Sequence, residues 1–123
     1  MNSQEVAQLK SLVYDQQTTV LILPKGTKTF GEGAALKAEL DLSNLSSLEK
    51  SVSALKDIEL MVLNLDEQTS LNRSYDFSAL SSLNNLKYIL VICSYQCDRE
   101  QIENAFAGLP QEVLALYNIS IPQ

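Results

Sequence analysis

Apolar positions change their period along this chain, and each change marks an expected element. Val6, Leu9, Leu12 and Val13 recur at helical intervals among polar side chains, so residues 4–14 read as an amphipathic helix. Asp15 to Gln17 interrupts that pattern. Thr18 to Leu23 is β-branched and aliphatic over strand length, and Pro24 ends it. Lys25 to Gly33 is polar and holds three of the four glycines, which predicts a flexible turn, while Ala34 to Leu42 has helical composition. Leu42, Leu45 and Leu48 then recur at every third residue. Val52, Leu55 and Ile58 carry the series into a second strand, Glu59 to Leu65, followed by a polar stretch to Tyr75.

Lys87 to Cys93 is almost unbroken in its apolar character, the pattern of a strand buried on both faces. Asp98 to Phe106 places Ile102 and Phe106 at i,i+4 and predicts a short helix ended by Gly108 and Pro110. Asp98 suits its N-cap, with Gln101 as reciprocal partner. Val113 to Ile119 supplies the last strand. The resulting order alternates helix and strand four times. It predicts one α/β domain over residues 1–123, with a mostly parallel four-stranded sheet and right-handed connections.

Repetition overlies this alternation. The strand candidates near Ile58, Leu86 and Val113 begin 28 and 27 residues apart. Asp41-Leu-Ser-Asn-Leu-Ser-Ser-Leu-Glu49 is echoed by Asp76-Phe-Ser-Ala-Leu-Ser-Ser-Leu-Asn84, which reads as an internal duplication. A period of this length suits a solenoid of strand-plus-helix units. The run Leu80-Ser-Ser-Leu83-Asn-Asn-Leu86-Lys-Tyr-Ile89 resembles the leucine-rich repeat family. Leu55-Lys-Asp-Ile58-Glu-Leu60 and Leu114-Ala-Leu116-Tyr-Asn118-Ile119 are partial partners. The similarity spans about residues 42–121. It implies a short array with leucines lining its interior, and protein binding on the strand-lined face. The same spacings also fit a closed single-core α/β sandwich or a mixed sheet, so strand order stays open.

Composition narrows the chemistry. There are 21 leucines in 123 residues, and 15 acidic against 9 basic side chains give a net charge of -6. That charge repels a phosphate backbone at long range and argues against a nucleic-acid partner. No histidine is present, which removes imidazole acid/base chemistry, a Ser-His-Asp relay and every His-containing metal site. The first 20 residues, charged at Glu5, Lys10 and Asp15, do not form a signal peptide, and the longest apolar runs are too short to span a bilayer. Cys93 and Cys97, the only cysteines, are expected as free thiols in a reducing cytoplasm.

Several side chains are candidates for contact. Gly26-Thr-Lys28-Thr-Phe-Gly31-Glu-Gly33 sits where a phosphate loop would, but Glu32 follows Gly31 where Lys and Ser/Thr are required. Lys25 and Lys28, with the amides of a following helix, are the anion-binding alternative to a solvated turn. Asp66 and Glu67 form the best carboxylate pair, expected at the carboxyl end of a strand, where Ser94, Cys97 and Lys25 would converge on them. Cys97 beside Asp98 and Arg99 is a candidate reactive thiol. Tyr95 and Tyr117 are amphipathic anchors for a partner. The expected function is a protein-interaction or regulatory binding module without catalytic activity, cofactor or metal, with self-association through Val113 to Ile121 as a further option. The alternative is a small α/β enzyme or ligand-binding domain using the polar groups at the strand ends.

Overall fold

A computed structural model describes residues 2–14, 17–65, 75–93 and 97–119. Ser3–Tyr14 forms helix α1, and six strands follow: β1 Thr19–Leu23, β2 Gly26–Phe30, β3 Lys37–Asp41, β4 Leu60–Leu65, β5 Tyr88–Cys93 and β6 Leu114–Ile119. Two short helices, α2 Leu48–Ser51 and α3 Arg99–Ala105, and 3-10 segments at Leu42–Ser47, Val52–Leu55 and Ser78–Ser82 join them. The strands make one mixed sheet in the order β2-β1-β3-β4-β5-β6. Only β1 and β2 pair antiparallel; the other four pairings are parallel. The chain is therefore α/β with a mostly parallel sheet, but neither four strands nor regular alternation with helices describes it.

Two expectations fail together between residues 25 and 42. Lys25 to Gly33 is mainly strand β2, because Pro24 and Lys25 form a two-residue turn that folds the chain back onto β1, with Leu23 facing Gly26. Gly26 adopts φ 147°, a conformation that L side chains rarely reach. Ala34 to Leu42 is not a helix. Lys37-Ala-Glu-Leu-Asp41 alternates, with Ala38 and Leu40 fully buried and Lys37 and Glu39 half-exposed. Strand partners on both sides satisfy its backbone. Helix propensities differ by under about 1 kcal/mol per ordinary residue, too little to oppose that pairing.

The described parts of the connections from β3 onward pack on the same sheet face. Leu42, Leu48, Leu55 and Ile58 from the first crossover, Phe77, Leu80, Leu83 and Leu86 from the second, and Ile102, Ala105 and Phe106 from the third share one core with Leu40, Met61, Leu63, Ile89 and Val91. The turns entering the last three strands have one form: Ile58 N–H donates to Leu55 O, Leu86 to Leu83 and Val113 to Pro110, at 3.2 Å each. The 3-10 geometry explains the three-residue leucine spacing, since such a helix turns once per three residues. Before Ser78–Ser82, Asp76 accepts a bond from the Ser78 amide at 2.9 Å. The Ser78 hydroxyl and amide together hold the Asp76 carboxyl below its ordinary range.

The opposite face is covered by α1. Leu12, 3% exposed, packs with Leu60, Val62 and Tyr88, flanked by Leu9, Val13, Leu36, Leu90 and Ile92. Gln8 donates to the Glu59 carboxylate at 2.8 Å, and Lys87 pairs with the same oxygen at 3.4 Å. This second layer explains why Tyr88–Cys93 has no polar alternation: β5 has apolar neighbours on both faces.

The cysteines are not free. Cys93, fully buried at the end of β5, is disulfide-bonded to Cys97, whose Cα lies 6.6 Å away just before α3. The end of β5 and the start of α3 lie close enough to bring the two Cα atoms within disulfide range, which the four-residue spacing did not reveal. Asp98 caps α3 as expected, its carboxylate accepting from the amides of Glu100 at 2.8 Å and Gln101 at 3.3 Å. Among the described residues, no helix is long and apolar enough to cross a membrane.

Candidate functional site

The expected contact residues do not gather at one place. Asp66, Glu67, Ser94 and Tyr95 lie outside the described residues. Lys25 and Lys28 belong to the β1–β2 hairpin, whereas Cys97 and Tyr117 belong to the other end of the sheet. Since β3 and β4 separate β1 from β5, Lys25 and Cys97 stand about 14 Å apart at ordinary strand spacing and do not converge. The hairpin is also followed by strand β3, so the following helix whose amides were expected beside Lys28 is a strand instead. Its ammonium lies 5.7 Å from the centroid of the Phe30 ring, which is itself 52% exposed. The sulfur of Cys97 is held in the disulfide, so the expected reactive thiol is corrected to a structural bond.

Tyr117 lies on a more complete site, the free edge of β6. Leu114 N–H donates to Lys87 O at 3.0 Å, and Leu114, Leu116 and Asn118 register with Tyr88, Leu90 and Ile92 of β5. In a parallel ladder successive residues address opposite neighbours. The backbone groups of Leu114 and Leu116 therefore face β5, while those of Ala115 and Tyr117 face outward. β6 is the terminal strand of the sheet, so this outward row has no ladder partner among the described residues.

The side chains suit the row. Residues 114–119 carry no charge and no proline, the two usual guards of an exposed edge. Leu114 is 41% exposed and Leu116 half-buried, because α1 packs over β4 and β5 and leaves the last strand less covered. On the core-side face, the Tyr117 ring meets Phe106 edge-on at 6.4 Å. Phe106 stacks on Phe77 at 5.4 Å, so a row of rings ties the edge to the core. A groove of about 440 Å³ follows the strand, lined by Arg99, Ala115, Leu116 and Tyr117.

Burial, with the Glu103 carboxylate nearby, raises the Tyr117 phenol above its ordinary range against the opposing pull of Arg99. Near neutral pH it is a protonated hydrogen-bond donor, not a base. Arg99 meets Glu103 at 3.1 Å, but both are well exposed, so their bond adds little to stability and leaves the guanidinium able to exchange partners.

Sequence reasoning found Tyr117, and took in Ala115 and Leu116 only within the Val113 to Ile121 edge offered for self-association, but missed Arg99 as a lining residue. The available signal was an uncharged final strand, which contrasts with the Lys28-bearing strand β2 at the opposite edge. Neither a scan of protein-family models nor searches of curated proteins and of solved structures found a match to the chain.

Proposed function

We propose that this chain is a protein-interaction or regulatory binding module without catalytic activity, taking an extended segment of a partner protein along β6. The outward backbone row of Ala115 and Tyr117, without a ladder partner among the described residues and set on an uncharged edge, carries this reading. Strand addition draws affinity from such a row and specificity from the alternating side chains beside it, here Leu114, Leu116 and Tyr117.

The topology supports binding over the enzyme alternative. From β1 through β3 to β6 the parallel strands follow one another in chain order, with the described parts of the β3–β6 crossovers on one face. Open α/β enzymes bind ligands where strand order reverses, and this order has no such switch point among its parallel strands. It also supports reading the chain as a short leucine-rich-repeat-like array, with the common turns before β4, β5 and β6 as the repeated feature. A charge of -6 makes a protein surface a better partner than nucleic acid.

Ala115→Pro tests the reading. Proline removes an outward amide while leaving the ladder to β5 intact, and edge strands tolerate it. Crosslinking and capture should recover a protein with the wild-type chain and lose it with Ala115→Pro, with circular dichroism unchanged. Equal recovery by both chains would contradict strand addition, as would stabilisation by a metabolite with no protein recovered. A dimer that dissociates on the substitution would make the partner a second copy. For the cytoplasmic expectation, alkylation at lysis is the measure: two modified cysteines indicate a reducing compartment, and none an oxidising one.

A further inference from the structure

We infer that a cleft beneath the β1–β2 turn, separate from the β6 edge, binds a small phosphate monoester. Residues 23–27 form one wall and Ser47, Lys50, Ser51, Ser53 and Ala54 the other, around about 380 Å³. Among the described residues its polar lining is Lys25, Lys50, Thr27, Ser47, Ser51 and Ser53, with no carboxylate. In a chain with 15 acidic and 9 basic side chains, a cleft whose described lining holds two lysines, four hydroxyls and no acid is a local reversal of charge.

The groups are also unspent. Among the described residues, Lys87 and Arg99 have carboxylate partners, but Lys25 and Lys50 have none. Ser51, 5% exposed, donates to Ser47 O at 3.0 Å. The hydroxyls of Thr27, Ser47 and Ser53 have no such internal partner among the described residues, so they remain available as donors.

Two lysines lining one cleft bring like charges to it, and a dianion offsets them by accepting a charge-assisted bond from each. A phosphate monoester carries close to two negative charges at neutral pH, with three acceptor oxygens. The cleft lies near the lower end of ordinary ligand-pocket volumes, larger than a bare phosphate needs, and its hydroxyls suit a compact polar body such as a sugar.

Amide NMR titration with glucose 6-phosphate, at constant ionic strength, tests the assignment on the full chain. Saturating shifts are expected at Thr27, Ser51 and Ser53. Lys25→Gln and Lys50→Gln should each weaken binding by about tenfold, and Lys28→Gln, outside the cleft, should leave it unchanged. All three lysines are exposed, and matched melting curves establish that the variants fold. Glucose alone should not bind, and inorganic phosphate should bind more weakly. Shifts that fail to saturate, an equal effect of Lys28→Gln, or binding of glucose would overturn the site. Inorganic phosphate binding as tightly as the ester would overturn the monoester assignment.

Discussion

Gly31 is held at φ 106°, and a Cβ placed there would stand 2.8 Å from Thr18 Oγ1 and 3.0 Å from Thr18 Cα. The Thr18 hydroxyl donates to Glu32 O at the same place, so neither side can easily move. Gly31→Ala is expected to cost about 2–3 kcal/mol, from backbone strain and overlap together. Gly33→Ala, with φ 81° but open space, should cost about 1 kcal/mol. Urea unfolding of the two variants measures the difference. Tyr117 gives a second expectation at this scale. Its phenol ionises above the ordinary tyrosine pKa of about 10 when folded. Its contribution to stability is therefore complete below that pH and declines as pH rises towards the folded value, because the unfolded chain loses its proton first. Tyr117→Phe should remove that part of the alkaline loss, read from urea midpoints between about pH 9 and 11. Some residue roles were plain in the sequence: Asp98 three positions before Gln101 announced its own cap. The Cys93–Cys97 bond was not, because it depends on how near the end of β5 comes to the start of α3.

Among the elements, α1 makes the outer layer and rests on few contacts. Leu12 is its one buried residue, set against Leu60, Val62 and Tyr88. Leu12→Ala should destabilise the fold by about 2–4 kcal/mol if the surrounding side chains do not close the gap. Dye binding to the uncovered outer face should rise with it, and guanidinium unfolding with a fluorescence assay reads both. The helical period made α1 legible, and unbroken apolar runs made β4 and β5 legible. β3 was not, since Lys37, Ala38, Glu39 and Leu40 are good helix formers and the alternation covers only five residues. The three-residue spacing from Leu42 to Leu48 was visible, but its meaning as 3-10 structure needed the backbone. The echo at Asp41 and Asp76 leads into two such 3-10 segments and does not set strand register. Register instead carries Leu60 to Tyr88 and Tyr88 to Leu114, close to the spacing expected from Ile58, Leu86 and Val113.

At the scale of the molecule, the sheet grows in one direction from β1 to β6 and ends on a strand with few guards. Local patterns predicted parallel strands, but order and edges depend on long-range pairing that a strand-length pattern does not encode. The candidate site was less legible than the fold for that reason. Tyr117 stood out by its chemistry, whereas Ala115 matters only because its backbone faces outward, and Arg99 only because α3 returns beside β6. An open β6 edge is the central claim, and hydrogen exchange at its amides tests it most directly. In the free monomer, Ala115 and Tyr117 should exchange at least about a hundredfold faster than Leu114 and Leu116, whose amides bond to β5. Equal protection at all four positions in a chain shown to be monomeric would contradict the account.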